Sequence, residues 1–182
     1  MKKPRLFLDI DGVIYAHYAG AWQIRPYTLT LINWAVEHFD VYWASWNSRK
    51  DQVALILYAD PGHRTTVCVE MDEDSDIPGG SKLKWISKYG GLDDDWILIE
   101  DTAPFLAEKE LLKSKNMLDR FIVIPDTGGD ALLDVKIALE GWLKNRKIIV
   151  PFDWIRPMGI ERDLCITAEW QGYKGDDLVP IR

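Results

Sequence analysis

Arg5-Leu6-Phe7-Leu8-Asp9-Ile10-Asp11-Gly12-Val13-Ile14-Tyr15 decides how this chain is read. It is an apolar run with two aspartates set into it and a glycine directly behind. A short apolar run of this kind predicts a buried strand. A bare carboxylate is costly to bury, so each aspartate must be paired, hydrogen-bonded or bound to a metal. Gly12 permits a sharp turn after the strand. The two carboxylates then fall at the carboxyl end of a strand, where open α/β sheets place their ligands.

The remaining text alternates around that stretch. We read a first strand over 5–9 and an irregular loop over 12–25. A helix starts at Pro26 and ends near Phe39. Val41-Tyr42-Trp43-Ala44 is a second strand, apolar throughout and so covered on both faces. After the turn Ser45-Trp46-Asn47-Ser48, a helix runs from Arg49 through Leu57 until Asp60-Pro61-Gly62 breaks it. Residues 65–70 alternate and are β-branched, which predicts a third strand. An acidic loop over 71–80 leads to a helix over 81–89, closed by Gly90-Gly91. Trp96-Ile97-Leu98-Ile99 is a fourth strand, 105–115 a helix, and Phe121-Ile122-Val123-Ile124 a fifth strand. Asp130 caps a last helix that reaches about residue 145. Five strand-helix units in series predict an α/β chain with a doubly wound, five-stranded parallel sheet. Residues 146–182 leave the pattern and read as a short C-terminal extension packed on the domain or on a partner. The division is therefore 1–145 and 146–182.

Composition narrows the function classes. A formal net charge of −7 and a pI near 5.0 argue against broad, sequence-independent binding to nucleic acid or an anionic membrane. No run approaches the roughly 20 apolar residues of a membrane span, and Asp9 and Asp11 interrupt the only candidate for a leader. Cys68 and Cys165 lie far apart with no metal-ligand spacing, so a buried thiol and a reducing cytoplasm fit. Three scattered histidines make no zinc site. Nine tryptophans are many for 182 residues, and most of them should anchor the core.

Polar residues gather just past the ends of the predicted strands. Asp9 and Asp11 follow the first, Ser45 and Asn47 the second, Glu100 and Asp101 the fourth, and Lys82 opens the helix before the fourth. In a parallel sheet these ends face one crevice. Carboxylates, a hydroxyl and an ammonium in one place suit phosphoryl transfer assisted by a divalent metal.

Four segments carry a family resemblance: Leu8-Asp9-Ile10-Asp11-Gly12-Val13, Val41-Tyr42-Trp43-Ala44-Ser45, Lys82, and Leu98-Ile99-Glu100-Asp101. In this order and context they resemble the motifs of the haloacid dehalogenase (HAD) superfamily, and they cover roughly residues 5–143. The chain looks most like small capless members of phage and bacteria, some of them linked to nucleic-acid end repair. The resemblance implies a Rossmann-like three-layer sandwich. It implies that Asp9 is the nucleophile of an aspartyl-phosphate intermediate, and that Asp11 is the acid and base that moves the proton. Magnesium would be held by Asp9, the backbone carbonyl of Asp11 and Asp101, with Glu100 holding its waters or Lys82. Phosphate would be bound by Gly12, Ser45, the backbone near Trp46 and Asn47, and Lys82. Lys84 competes with Lys82 for the inward position. Asp11 favours a phosphatase over a dehalogenase, because a halide leaves without a proton.

Family members that act on small metabolites carry a cap domain. Here the segments 12–26 and 47–80 are too short for a full one. An open site favours a large phosphorylated substrate, such as a nucleic-acid end or a nucleotide. Tyr15, Tyr18, Trp22 and Trp46 are placed to ring the site, and Arg25 and Arg49 to meet further phosphates. The alternative is a HAD-fold binding module with little or no turnover, holding a protein partner through its tryptophan-rich surface or its tail.

Overall fold

The structure is a computed structural model that describes residues 2–18, 21–46, 55–68, 81–124 and 130–145. Its main sheet has five strands: β1 (Arg5–Leu8), β4 (Asp40–Trp43), β5 (Thr66–Val67), β6 (Trp96–Glu100) and β7 (Phe121–Val123). They lie in the order β5-β4-β1-β6-β7, and every neighbouring pair is parallel. All residues of β1, β6 and β7 are buried. Strands covered on both faces need apolar side chains at successive positions, and for this reason they read as continuous apolar runs.

Among the described residues, the helices with full bounds are α1 (Thr28–His38), α2 (Leu83–Lys88), α3 (Leu106–Ser114) and α4 (Ala131–Asn145). Residues 55–59 are also helical. Helix α1 buries Thr28, Leu31, Ile32 and Ala35, the one-sided stripe of an amphipathic helix. It packs on α4, where Phe39 stacks on Trp142 at 6.2 Å and the Lys136 ammonium lies 5.1 Å from the Trp34 ring centre. Full burial of each large apolar side chain in this core contributes roughly 1.5–3 kcal/mol.

Register puts the chemistry in place. Leu8 lies beside Trp43 on one side and Ile99 on the other. The ladder carries on past the strands: Asp9 N–H donates to the Ile99 carbonyl at 3.0 Å, and Ala44 N–H to the Leu8 carbonyl at 2.8 Å. Asp9, Ala44 and Glu100 therefore emerge at one level. Counting parallel strands only, the spatial order is third, second, first, fourth, fifth, so the winding reverses between β1 and β6. Loops diverge at that switch point and open a crevice.

Several expectations need correction. The segment 12–25 is not an irregular loop: β2 (Tyr15–Tyr18) and β3 (Ala21–Ile24) form an antiparallel hairpin. Four-residue strands of Ala, His, Gln and Tyr carry too little β-branched pattern to stand out. Helix α1 begins at Thr28 rather than Pro26, because Tyr27 takes a left-handed φ of 65°. Strand β5 spans two residues; the expected continuation over 69–70, the acidic loop 71–80 and the extension 146–182 lie outside the described residues. A short 3-10 turn, Leu118–Arg120, precedes β7.

One buried cation ties β1 to α2. Arg5 is 2% exposed; its Nη1 donates to the Ile86 carbonyl at 3.2 Å and its Nη2 to the Gly91 carbonyl at 2.8 Å. Gly90 leaves room for this, since a Cβ there would sit 2.0 Å from Nη1. Burial pushes the guanidinium pKa down, against the pull of Asp94 at 3.4 Å. We predict that Arg5→Met keeps the stem packing but strands two carbonyls, and lowers stability by about 1–3 kcal/mol. Denaturant unfolding checks this; an unchanged midpoint contradicts it.

Candidate active site

Asp9 follows β1 and is only 6% exposed. Its Oδ1 accepts the Ile10 N–H at 2.7 Å, and its Oδ2 lies 3.0 Å from Lys82 Nζ. Glu100, the last residue of β6, is equally buried. Its Oε1 contacts the same Lys82 ammonium, while Oε2 accepts the Asp101 N–H at 3.0 Å and the Thr102 hydroxyl at 3.4 Å. Lys82 stands immediately before α2 and spans the two acids. Ser45, buried, lies two residues beyond β4. Asp9, Asp11, Ser45, Trp46, Lys82, Glu100 and Asp101 all line one cavity of about 270 Å³. Lys84 does not reach it, which settles the choice between the two lysines.

The charges are crowded. Burial pushes the Asp9 carboxyl up to about 6; the Glu100 charge adds to this, and Lys82 opposes it. Glu100 and Asp101 are also raised, in each case mainly by burial. One ammonium faces three carboxylates, a deficit that a divalent cation would offset. Carboxylate oxygens of Asp9, Glu100 and Asp101 lie within 4.8 Å of one another. These hard ligands fit magnesium. Asp11 stands outside that carboxylate cluster while sharing the cavity. Among the predicted site residues, Gly12 does not line the cavity, and Asn47 falls outside the described residues.

Gly12 holds the turn together. Its φ is +71°, and a Cβ there would lie 2.0 Å from Asp101 Oδ2. Its N–H donates to the Tyr15 carbonyl at 2.7 Å. Its carbonyl accepts Arg25 Nη2 at 2.8 Å and Nε at 3.3 Å. Arg25 is thus not a phosphate ligand waiting in solvent, as its sequence position suggests. It is 1% exposed, and its guanidinium is turned inward onto the backbone of the Asp11-Gly12 turn. Arg49 lies outside the described residues.

Of the aromatic residues expected around the site, Trp46 lines the cavity, whereas Tyr15 and Trp22 do not, and the Tyr18 side chain lies outside what the structure describes. Tyr15 and Trp22 stack on each other on the hairpin at 5.7 Å. The sequence reading missed Phe105 and Glu108, which also line the cavity. Glu108 is 5% exposed, and its Oε2 accepts the Phe105 N–H at 2.8 Å. Its place three residues after the position that precedes α3 is the signal that could have found it. No protein-family model matches this sequence, and no curated protein sequence matches it.

Two outcomes follow from this geometry. Gly12→Ala drives a methyl group into Asp101 and forces a strained φ, so magnesium affinity should fall by about tenfold or more, read by calorimetric titration. Affinity equal to that of the parent protein contradicts the placement. The second concerns pH. Asp9 holds its proton to about pH 6 in the metal-free fold, against about 4 when unfolded. Across that window the folded state binds more protons, so the Asp9 contribution to stability falls as pH rises. A magnesium ion held by Asp9 would compete with that proton. Its stabilising effect on thermal unfolding should therefore be larger near pH 8 than near pH 5. An equal or reversed effect contradicts it.

Proposed function

We propose that this chain is a magnesium-dependent phosphohydrolase of the HAD type, working through an aspartyl-phosphate on Asp9. In this reading the α/β fold is a capless three-layer sandwich. The observation that carries it is the placement of Asp9 at the switch point of the sheet, held by Lys82 and faced by Glu100 and Asp101. Bound magnesium would supply charge neutralisation for a phosphate dianion among these acids.

The residues divide the work. An Asp9 carboxylate oxygen attacks phosphorus, and the bond from phosphorus to the ester oxygen breaks. Asp11 gives its proton to that oxygen, and the alcohol leaves. Asp11 then takes a proton from water as the water oxygen attacks phosphorus. The Asp9–phosphorus bond breaks, inorganic phosphate departs, and Asp11 is protonated for the next cycle. The Ser45 hydroxyl and the Lys82 ammonium hold the phosphoryl oxygens in place.

A short hairpin takes up the segment between β1 and α1, which supports a site open to a large substrate, with a nucleic-acid end or a nucleotide as the leading class. The exposed Trp22, stacked on Tyr15 away from the cavity, favours an additional contact with a protein partner. Among the described residues no helix is long and apolar enough to cross a membrane. A cytoplasmic location belongs to this reading because the two cysteines, Cys68 and Cys165, form no disulfide framework in the sequence.

A phosphatase assay with magnesium tests the proposal. Asp9→Asn should lower kcat by on the order of a thousandfold or more. Asp11→Asn should lower it by roughly 10²- to 10⁴-fold with magnesium affinity held to within about threefold, because only the backbone carbonyl of Asp11 is a ligand. Undiminished turnover in the Asp9 variant sinks the nucleophile assignment, and loss of metal in the Asp11 variant sinks its role as a proton carrier.

A further inference from the structure

Two large apolar rings stand in water at the cavity that holds the acids. Trp46 is 56% exposed and Phe105 is 71% exposed, and both line the cavity containing Asp9 and Lys82. The Trp46 ring and the Phe105 backbone are each held in place. Trp46 follows Ser45 directly and rests on Trp85 at 4.8 Å between ring centres. Trp85 is itself 4% exposed and sits in α2, one turn from Lys82. The backbone of Phe105 is fixed by the buried Glu108 carboxylate. Two exposed rings that line one cavity beside charged groups fit a binding surface.

We propose that Trp46 and Phe105 form a stacking subsite at the mouth of this cavity, and that the group esterified to the phosphate is a nucleoside. This deepens the phosphohydrolase reading and rests on it. The charged groups form the floor, where Asp9, Lys82 and Glu100 are each 6% exposed, and the rings form the rim. A nucleoside phosphate carries both chemistries, with a ribose as the spacer between the phosphate and the flat base. An aryl phosphate would instead bring its ring down among the carboxylates. A bare sugar phosphate would leave both aromatic faces wet. Bases stack on such platforms whatever their sequence, because every base has a π-face. A free mononucleotide and the terminal nucleotide of a strand share this chemistry.

The test measures binding of adenosine 5′-monophosphate, ribose 5-phosphate, phenyl phosphate and a 5′-phosphorylated oligonucleotide to the full chain with magnesium, by calorimetry, alongside turnover of each. The nucleotide should bind roughly 5- to 100-fold more tightly than ribose 5-phosphate. Trp46→Ala and Phe105→Ala should each cut that ratio by about fivefold or more, while Trp46→Phe and Phe105→Tyr keep most of it. Equal affinity for the nucleotide and the sugar phosphate overturns the subsite, as does a ratio that survives both alanine variants. Preference for phenyl phosphate overturns the nucleoside assignment. The oligonucleotide separates the sources: tighter binding than the mononucleotide assigns a strand end, and weaker binding a free nucleotide. A binding preference with no turnover of any probe sinks the phosphohydrolase reading and leaves the subsite standing. Turnover without preference does the reverse.

Discussion

The contact of Lys82 with Asp9 and Glu100 is the interaction on which the rest depends. It joins the ends of two neighbouring strands to the start of a helix, all at one level. Unpaired, each of these buried carboxylates would cost several kcal/mol, and removing one partner of such a network costs about 3–5 kcal/mol. Yet the lysine offsets only part of the charge. Burial drives the acids toward protonation, Asp9 to about 6. A site that holds so many carboxylates against their own repulsion fits a task requiring a dense negative ligand set, and a divalent cation is the simplest answer to it.

The fold supplies the precision. Parallel register brings Asp9 and Glu100 out side by side where the winding reverses. Two buried guanidiniums then hold the elements around β1. Arg5, at its start, grips the far end of α2, the helix that Lys82 precedes. Arg25, beyond the hairpin, grips the Gly12 carbonyl next to Asp11. Both do so by donating to backbone carbonyls, so they constrain the main chain itself. The close approach of Gly12 to Asp101 shows how little slack remains between the first loop and the fourth strand end.

Apolar runs made β1, β4, β6 and β7 legible in the sequence, because strands inside a parallel sheet keep their polar residues, here Arg5, Asp40 and Glu100, to their ends. The residues at their ends followed, and Asp9, Asp11, Ser45, Lys82, Glu100 and Asp101 do share one cavity. Other features depend on tertiary context. The hairpin is four residues a side, too short for alternation to register above its alanines and histidine. Arg25 looks like any arginine before a proline; only the packed structure turns it inward. Lys82 and Lys84 differ by the rotation at the start of α2, which no local pattern specifies. Glu108 and Phe105 enter the cavity because α3 begins where it does.

The most direct test of the account is anomalous diffraction from crystals soaked in manganese, a magnesium substitute with a signal of its own. The account predicts one ion in the cavity, bound by the Asp9 and Asp101 carboxylates and the Asp11 backbone carbonyl, with Lys82 still against Asp9 or Glu100. Manganese bound elsewhere, with the Asp9 cluster empty at saturation, would contradict it.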